Sequence, residues 1–445
     1  MVGSKKPLQE RSKSTTLTIV HVQDLSRIWS NSETLTQPPI LMSEQNSNRL
    51  FYASCFALIT TAFSFSIRAG ILPQLGTEFS LSAEQLGFIN SMWFVGFPIS
   101  MVIGGIFYRT IGPKRIMQFA FFAHTAGILL TIYSGGYNGL LLSTLLIGLG
   151  NGCTEAACNP MIADAYEGKK MNTLLNRFHM WFPGGIVLGS LVSLAMTKAN
   201  MGWEAQIWVI LLPTIVYAYL FWGQSFPEAK NAEVASLSGN FKAMATPLFI
   251  FICLCMTLTA ISEFGPQQWT SLLLSKSGAE PMVILALVTG LMAVGRYFGG
   301  EFVHKFDQTG VLLGSAVFAA IGIFLFSTQT GSMTYVAAIF FAMGVCYFWP
   351  NMIGFTAEKI PLSGALGMSV VGAFGMFSTS IWQPIIGSWI DDARKTAEGS
   401  GLTGDALELA AGQDTMRTMT AFPGILVVLF VVLYFWVKKN KQASA

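Results

Sequence analysis

Residues Gly148–Pro160 read GLGNGCTEAACNP, inside an otherwise apolar run. Asn151, Glu155 and Asn159 recur there at i, i+4 and i+8, so a helix carries all three on one stripe. A carboxyl and two amides on a membrane helix are costly unless they face protein or a water-filled cavity. The stripe therefore predicts both a membrane-spanning helix and the wall of a central substrate path.

The rest of the chain agrees with a membrane reading. Of its 445 residues 52% are hydrophobic and only 11% charged, with mean hydropathy +0.55. A soluble chain carries about 25% charged residues. Apolar runs long enough to cross a bilayer recur at roughly 50–72, 85–108, 115–134, 138–164, 172–197, 203–223, 246–275, 281–304, 309–328, 332–357, 362–388 and 418–438. The expected fold is all-α: a polytopic membrane protein of twelve transmembrane helices in two six-helix bundles.

The expected organisation is a disordered cytoplasmic tail over 1–48, a first bundle over 49–223, a cytoplasmic linker over 224–245, a second bundle over 246–438 and a short tail over 439–445. The polar first segment lacks the apolar core of a signal peptide, and Met42 stands as an alternative start to Met1. With the N-terminus cytoplasmic, the inner loops and C-terminal tail hold 13 basic residues and the outer loops 5. That bias places both termini on the cytoplasmic side of the inner membrane. Cys55, Cys153, Cys158, Cys253, Cys255 and Cys346 all fall in predicted helices without zinc-ligand spacing, so neither disulfide nor metal is expected. No basic cluster suggests nucleic acid. Glycine pairs at i, i+4 (Gly148 and Gly152, Gly185 and Gly189, Gly295 and Gly299) read as close helix packing.

A 6+6 layout is the sequence sign of transporters whose substrate sits between two related bundles. Layout and motifs together resemble the major facilitator superfamily. Its loop signature, Gly-x-x-x-Asp-Arg-x-Gly-Arg-Arg, is matched by GIFYRTIGPKR (Gly105 to Arg115), with Arg109 in place of the Asp. A basic residue there, the stretch GLGNGCTEAACNP, LNRFHMWFPGG (175–185) and YFWPNMIGF (347–355) are similar to the fucose/glucose/galactose permease branch. The resemblance implies secondary active uptake, often of sugar with protons, and gives Glu155 the part of a proton-linked or substrate-contacting acid. It departs from the fucose permeases at Arg68-Ala69-Gly70-Ile71-Leu72-Pro73-Gln74, where Ala69 replaces an Asp and Arg68 precedes it.

Glu155 is the first candidate for proton coupling, because a carboxyl in low dielectric can exchange a proton near neutral pH. The competing reading ties it to Arg68 as a structural pair. Arg68 is a candidate anion anchor, since a guanidinium holds a carboxylate with two parallel bonds. Snorkelling at the outer boundary is the alternative. Glu263 is a second candidate proton site. Asn151, Asn159, Gln267, Gln268, Asn351 and Gln383 offer amides suited to sugar hydroxyls. Trp269 offers a face for a sugar ring or an interfacial anchor, and His179 a titratable ring or a packing residue. Pro350 is expected to free a backbone carbonyl near Trp349 and Asn351, making a gate or ligand wall. Arg296 is expected to pair with Glu301 or Glu358. Asp391 and Asp392 are expected to be solvated, and 404–414 to form an amphipathic or flexible outer segment.

No Walker A motif, metal spacing or catalytic triad is visible, so an enzyme is not expected. The sequence points to a monomeric secondary transporter in the lipid bilayer. It would take up a sugar or sugar acid with a proton (sodium being the other candidate ion) and need no cofactor. The alternative is an exporter or exchanger of an organic anion or drug on the same fold.

Overall fold

The computed structural model describes residues 44–133, 135–166, 168–227, 237–297 and 299–444. Expectations for 1–43, and for 228–236 of the linker, lie outside the described residues. The first six helices are α1 (Glu44–Glu78), α2 (Ala83–Ile111), α3 (Pro113–Tyr133), α4 (Tyr137–Ala165), α5 (Gly168–Lys198) and α6 (Trp203–Phe221). A short α7 (Leu237–Met244) leads into α8 (Pro247–Leu273), α9 (Pro281–Tyr297), α10 (Gly299–Phe326), α11 (Met333–Val345) and α12 (Phe348–Lys359). α13 (Gly364–Gly399), α14 (Gly404–Met419) and α15 (Ala421–Ser444) complete the chain, with no strand among the described residues. Among the described residues eleven spans are long and apolar enough to cross a membrane, α11 with α12 and α14 with α15 counting as one each; the shorter apolar α9 is a twelfth.

Local chemistry sets the ends. Ser82 accepts from the Gln85 backbone while the Gln85 side chain reaches back to Ser82, a capping box that starts α2. Gly112 (φ 80) turns the chain sharply between α2 and α3, and Pro113 opens α3, where its missing N–H costs nothing. α2 and α4 meet along a glycine seam: a Cβ at Gly148 would stand 2.6 Å from the Trp93 carbonyl, and one at Gly96 2.6 Å from the Leu145 carbonyl. Backbone thus packs on backbone, as small residues allow in a bilayer.

The end bearing Glu44 is called proximal and the end bearing Glu78 distal. The first six helices pack among themselves, as do α8 to α15, and the halves meet through α2 with α13, α5 with α9 and α1 with α8. Asp391 on α13 accepts from the Ala83 and Glu84 backbone N–H groups at 3.1 and 2.9 Å. It is therefore not solvated as expected: its carboxylate caps α2 across the seam, where a helix N-terminus favours negative charge. Asp392 is exposed and pairs with Lys395. Lys198 meets Glu280 at 3.3 Å, and Gly87 lies so close to the Gln383 backbone that a Cβ would come within 2.5 Å. Gln268 Nε2 donates to the Phe65 carbonyl at 3.2 Å, and Ser271 Oγ to the Ala69 carbonyl. These ties run from mid-depth to the distal end.

Beneath them lies an aromatic plug shared by both halves. Phe264 packs against Phe65 (5.9 Å), Phe94 (5.7 Å) and Trp349 (6.3 Å), and Phe65 against Phe182 (6.1 Å). On the proximal side of the plug the packing loosens. Gly87 and Gly105 lie five turns apart on one face of α2; Gly87 touches the α13 backbone, while Gly105 has nothing near its Cβ position. The halves thus close on each other distally and part along α2 proximally.

Candidate functional site

On α4, Asn151 faces α1 and Gly152 faces α2. At 100° per residue Glu155 points between them, about 40° from Asn151, and Asn159 about 80°. Both are half-buried, below the plug on the proximal side. Asn159 Nδ2 donates to Glu155 Oε2 at 2.5 Å and to the Glu155 carbonyl at 3.1 Å. No cation pairs with Glu155 among the described residues. On α5, His179 is exposed and stands one turn proximal to Phe182, on the stripe that Ile186 continues into the plug.

Asn151 is fully buried and belongs to a different assembly. Ser64 Oγ donates to the Thr61 carbonyl (2.7 Å) and accepts from Trp93 Nε1 (3.0 Å) and Asn151 Nδ2 (3.1 Å). Asn151 Oδ1 then faces His124 Nε2 (2.9 Å), and His124 Nδ1 meets the Tyr217 hydroxyl (3.0 Å). Because the Ser64 proton is taken, the amide must present its NH₂ to Ser64 and its oxygen to the ring. A neutral His124 accordingly carries its proton on Nε2 and accepts from Tyr217. The chain binds α1, α2, α3, α4 and α6 inside the first half. His124 and Tyr217 were not singled out from sequence; a polar ring inside FFAHTAG was the available signal.

Arg68 is 5% exposed and does not reach Glu155. Its face of α1 carries Ser64, which bonds Asn151, so Glu155 lies one turn proximal of that level and Arg68 one turn distal. The two are about 12 Å apart along the helices. The guanidinium stacks over Trp93 at 5.8 Å and lines a cavity inside the first half, with Nε and Nη2 unpartnered.

The second half compensates its charges. Arg296 Nη2 meets Glu263 Oε1 at 3.5 Å, a pair with an acid as expected but not with Glu358, which pairs with Lys359 at 2.6 Å. The side chain of Glu301 lies outside the described set. The break between α11 and α12 explains Arg296's other bond. Pro350 has no N–H for the carbonyl four residues back, Cys346, and that carbonyl accepts Arg296 Nε at 3.0 Å. Trp349 is half-buried beside the plug, and Asn351 is buried with Nδ2 unpartnered.

The remaining amides are spread out. Gln267 lines a small apolar void within the second half, its Nε2 3.6 Å from Met292 Sδ. Trp269 is fully buried with Nε1 unpartnered. Gln268 Oε1, both amide atoms of Gln383, and both of Asn90 (also not singled out from sequence) are buried without partners. The structure thus brings Glu155 and Asn159 together, and Glu263 with Arg296. It sets Arg68 and Asn151 inside the first half.

Comparison with known proteins agrees with this architecture. The family model described as Major Facilitator Superfamily matches residues 54–387. A myo-inositol transporter of Candida albicans is 21% identical over 349 residues, 72% of this chain; the match spans 60% of that longer protein. A hexuronate transporter of Bacillus subtilis is 22% identical over 388 residues, covering 78% of this chain and 88% of the relative. Among solved structures, a bacterial homologue of the lysosomal transporter Spinster, inward-facing and unoccupied, superposes with a TM-score of 0.75. It is 15% identical and covers 88% of this chain and 97% of its own.

Proposed function

This chain belongs to the major facilitator superfamily, and we propose that it takes up a sugar or sugar acid with a proton by alternating access. Its family and relatives are transporters of small molecules rather than enzymes. The carrying observation is Glu155, an acid half-buried on the proximal side of the plug with an amide and, among the described residues, no cation as partner; this reading puts it on the wall of a proximally open cleft. On this reading, proton binding at Glu155 and substrate binding between the halves bias the same rocking of one half against the other. Asn159, His179, Trp349 and Asn351 supply the polar and aromatic contacts that sugar hydroxyls and ring faces take. The proximal face is the cytoplasmic one on the basic-residue bias. The branch-level resemblance to sugar permeases supports a saccharide.

Liposome uptake tests this reading. Neutral hexoses, hexuronates and amino sugars are offered with pH and sodium gradients imposed separately. Accumulation of one saccharide class under the pH gradient, lost in Glu155→Gln, is the expected result. Absence of saccharide uptake under either gradient removes the proposal. The second reading, exchange of an organic anion, draws support from Arg296, which is 25% exposed near the cleft. It requires uptake to depend on an opposing anion gradient.

A further inference from the structure

Arg68 poses a charge problem that the cleft does not solve. A guanidinium stays ionised, and an ion taken out of water needs a counter-charge or full hydrogen bonding. Arg68 is 95% buried by its 5% exposure, two of its nitrogens are unpartnered, and among the described residues no acid lines its cavity. Glu78, on its own helix, is ten residues on, about 15 Å toward the distal rim, and bonds Trp203 Nε1 at 2.5 Å. Glu84 and Glu204 lie in the first distal turns of α2 and α6. The Trp93 ring offers part of the compensation, on one side only.

The other side opens into the cavity between α1, α2, α3, α4 and α6. Ser64 and Thr131 lie on its wall with their protons given to the Thr61 and Gly127 carbonyls, and Thr144 is on the wall beside them. Ile71, Leu75, Leu140 and Ile207 form an apolar collar. About 20 Å³ is open to the centre of a water-sized sphere, room for one or two small guests and too little for a hexose ring. We propose that the Arg68 crypt binds a small monovalent anion of halide size, at a site separate from the substrate cleft. Its donors are Arg68 Nε and Nη2 and the Thr144 hydroxyl on the wall beside them. The tight collar and the missing acid favour an inorganic anion over a substrate carboxylate.

The test uses purified protein in nanodiscs, with sodium chloride or bromide exchanged for sodium gluconate at constant ionic strength. Halide should raise the unfolding midpoint by about 2 °C, saturably, at tenfold excess over its dissociation constant. Iodide should quench part of the tryptophan emission with the same midpoint, because Trp93 borders the site. Both responses should vanish in Arg68→Met. Should that variant fail to fold, Thr144→Val serves, and is expected to weaken halide binding several-fold. No difference between halide and gluconate overturns the proposal, as does a halide response unchanged in either variant. Competition between hexuronate and halide overturns the separate site without touching the transport reading, and failed saccharide uptake leaves the halide result intact.

Discussion

The two halves handle ionised groups inside the membrane differently. In the second half Glu263 and Arg296 meet, and the carbonyl released by Pro350 holds the cation in place. In the first half the acid and the cation stay about 12 Å apart along the helices, with the Ser64–Asn151–His124 chain between their levels. In the first half Glu155 stands against the Asn159 amide and, among the described residues, against no cation. We propose Glu155 as the working proton site and the Glu263–Arg296 pair as a strut, with Glu263 the second candidate proton site.

The largest expected effect breaks this contrast directly. Glu155→Gln should abolish accumulation driven by a pH gradient while leaving exchange of labelled for unlabelled substrate. Retained pH-driven accumulation would move the proton site elsewhere. Next, Arg296→Gln leaves Glu263 buried alone and should cost about 3 kcal/mol of stability. The double variant Arg296→Gln with Glu263→Gln should recover most of it in thermal unfolding. No recovery would mean that the pair is not a strut.

Smaller effects sharpen the comparison by asking what holds the halves together distally. Gly87→Val puts a side chain against the Gln383 backbone and should disfavour the distally shut state by about 2 kcal/mol. Thiol labelling of a cysteine placed at Asn90 should then rise from the distal side. Asp391→Asn removes the charged cap on α2 and should shift the same labelling by about 1 kcal/mol. Unchanged labelling in both would show that the seam does not govern access.

Much of this was legible in residue order, for a reason that differs from site to site. Glu155 and Asn159 stood out because a polar stripe in an apolar run is visible to composition and helical period alone. Arg68 stood out for the same cause, yet its destination did not. A turn of about 40° decides between the cleft and the interior of a bundle, and only neighbouring helices give that angle meaning. Arg296 was seen as paired, but Glu301 and Glu358 were named because sequence offers near acids first; the observed partner comes from another helix, at Glu263. Asp391 sat among charges at a span end and read as solvated. Its role appears only where the start of α2 meets it across the seam.

Residue order by itself determined a membrane-spanning all-helical chain, because twelve apolar stretches must hydrogen-bond internally in a bilayer. It also determined which side chains are expensive there. Tertiary structure alone decided which of those costs are offset and by whom. Long-range helix packing set Glu263 on Arg296, stood Glu155 against an amide, and closed Arg68 into a cavity with no acid among its described lining residues. Such pairings depend on distances between residues far apart in the chain, which spacing along it does not encode.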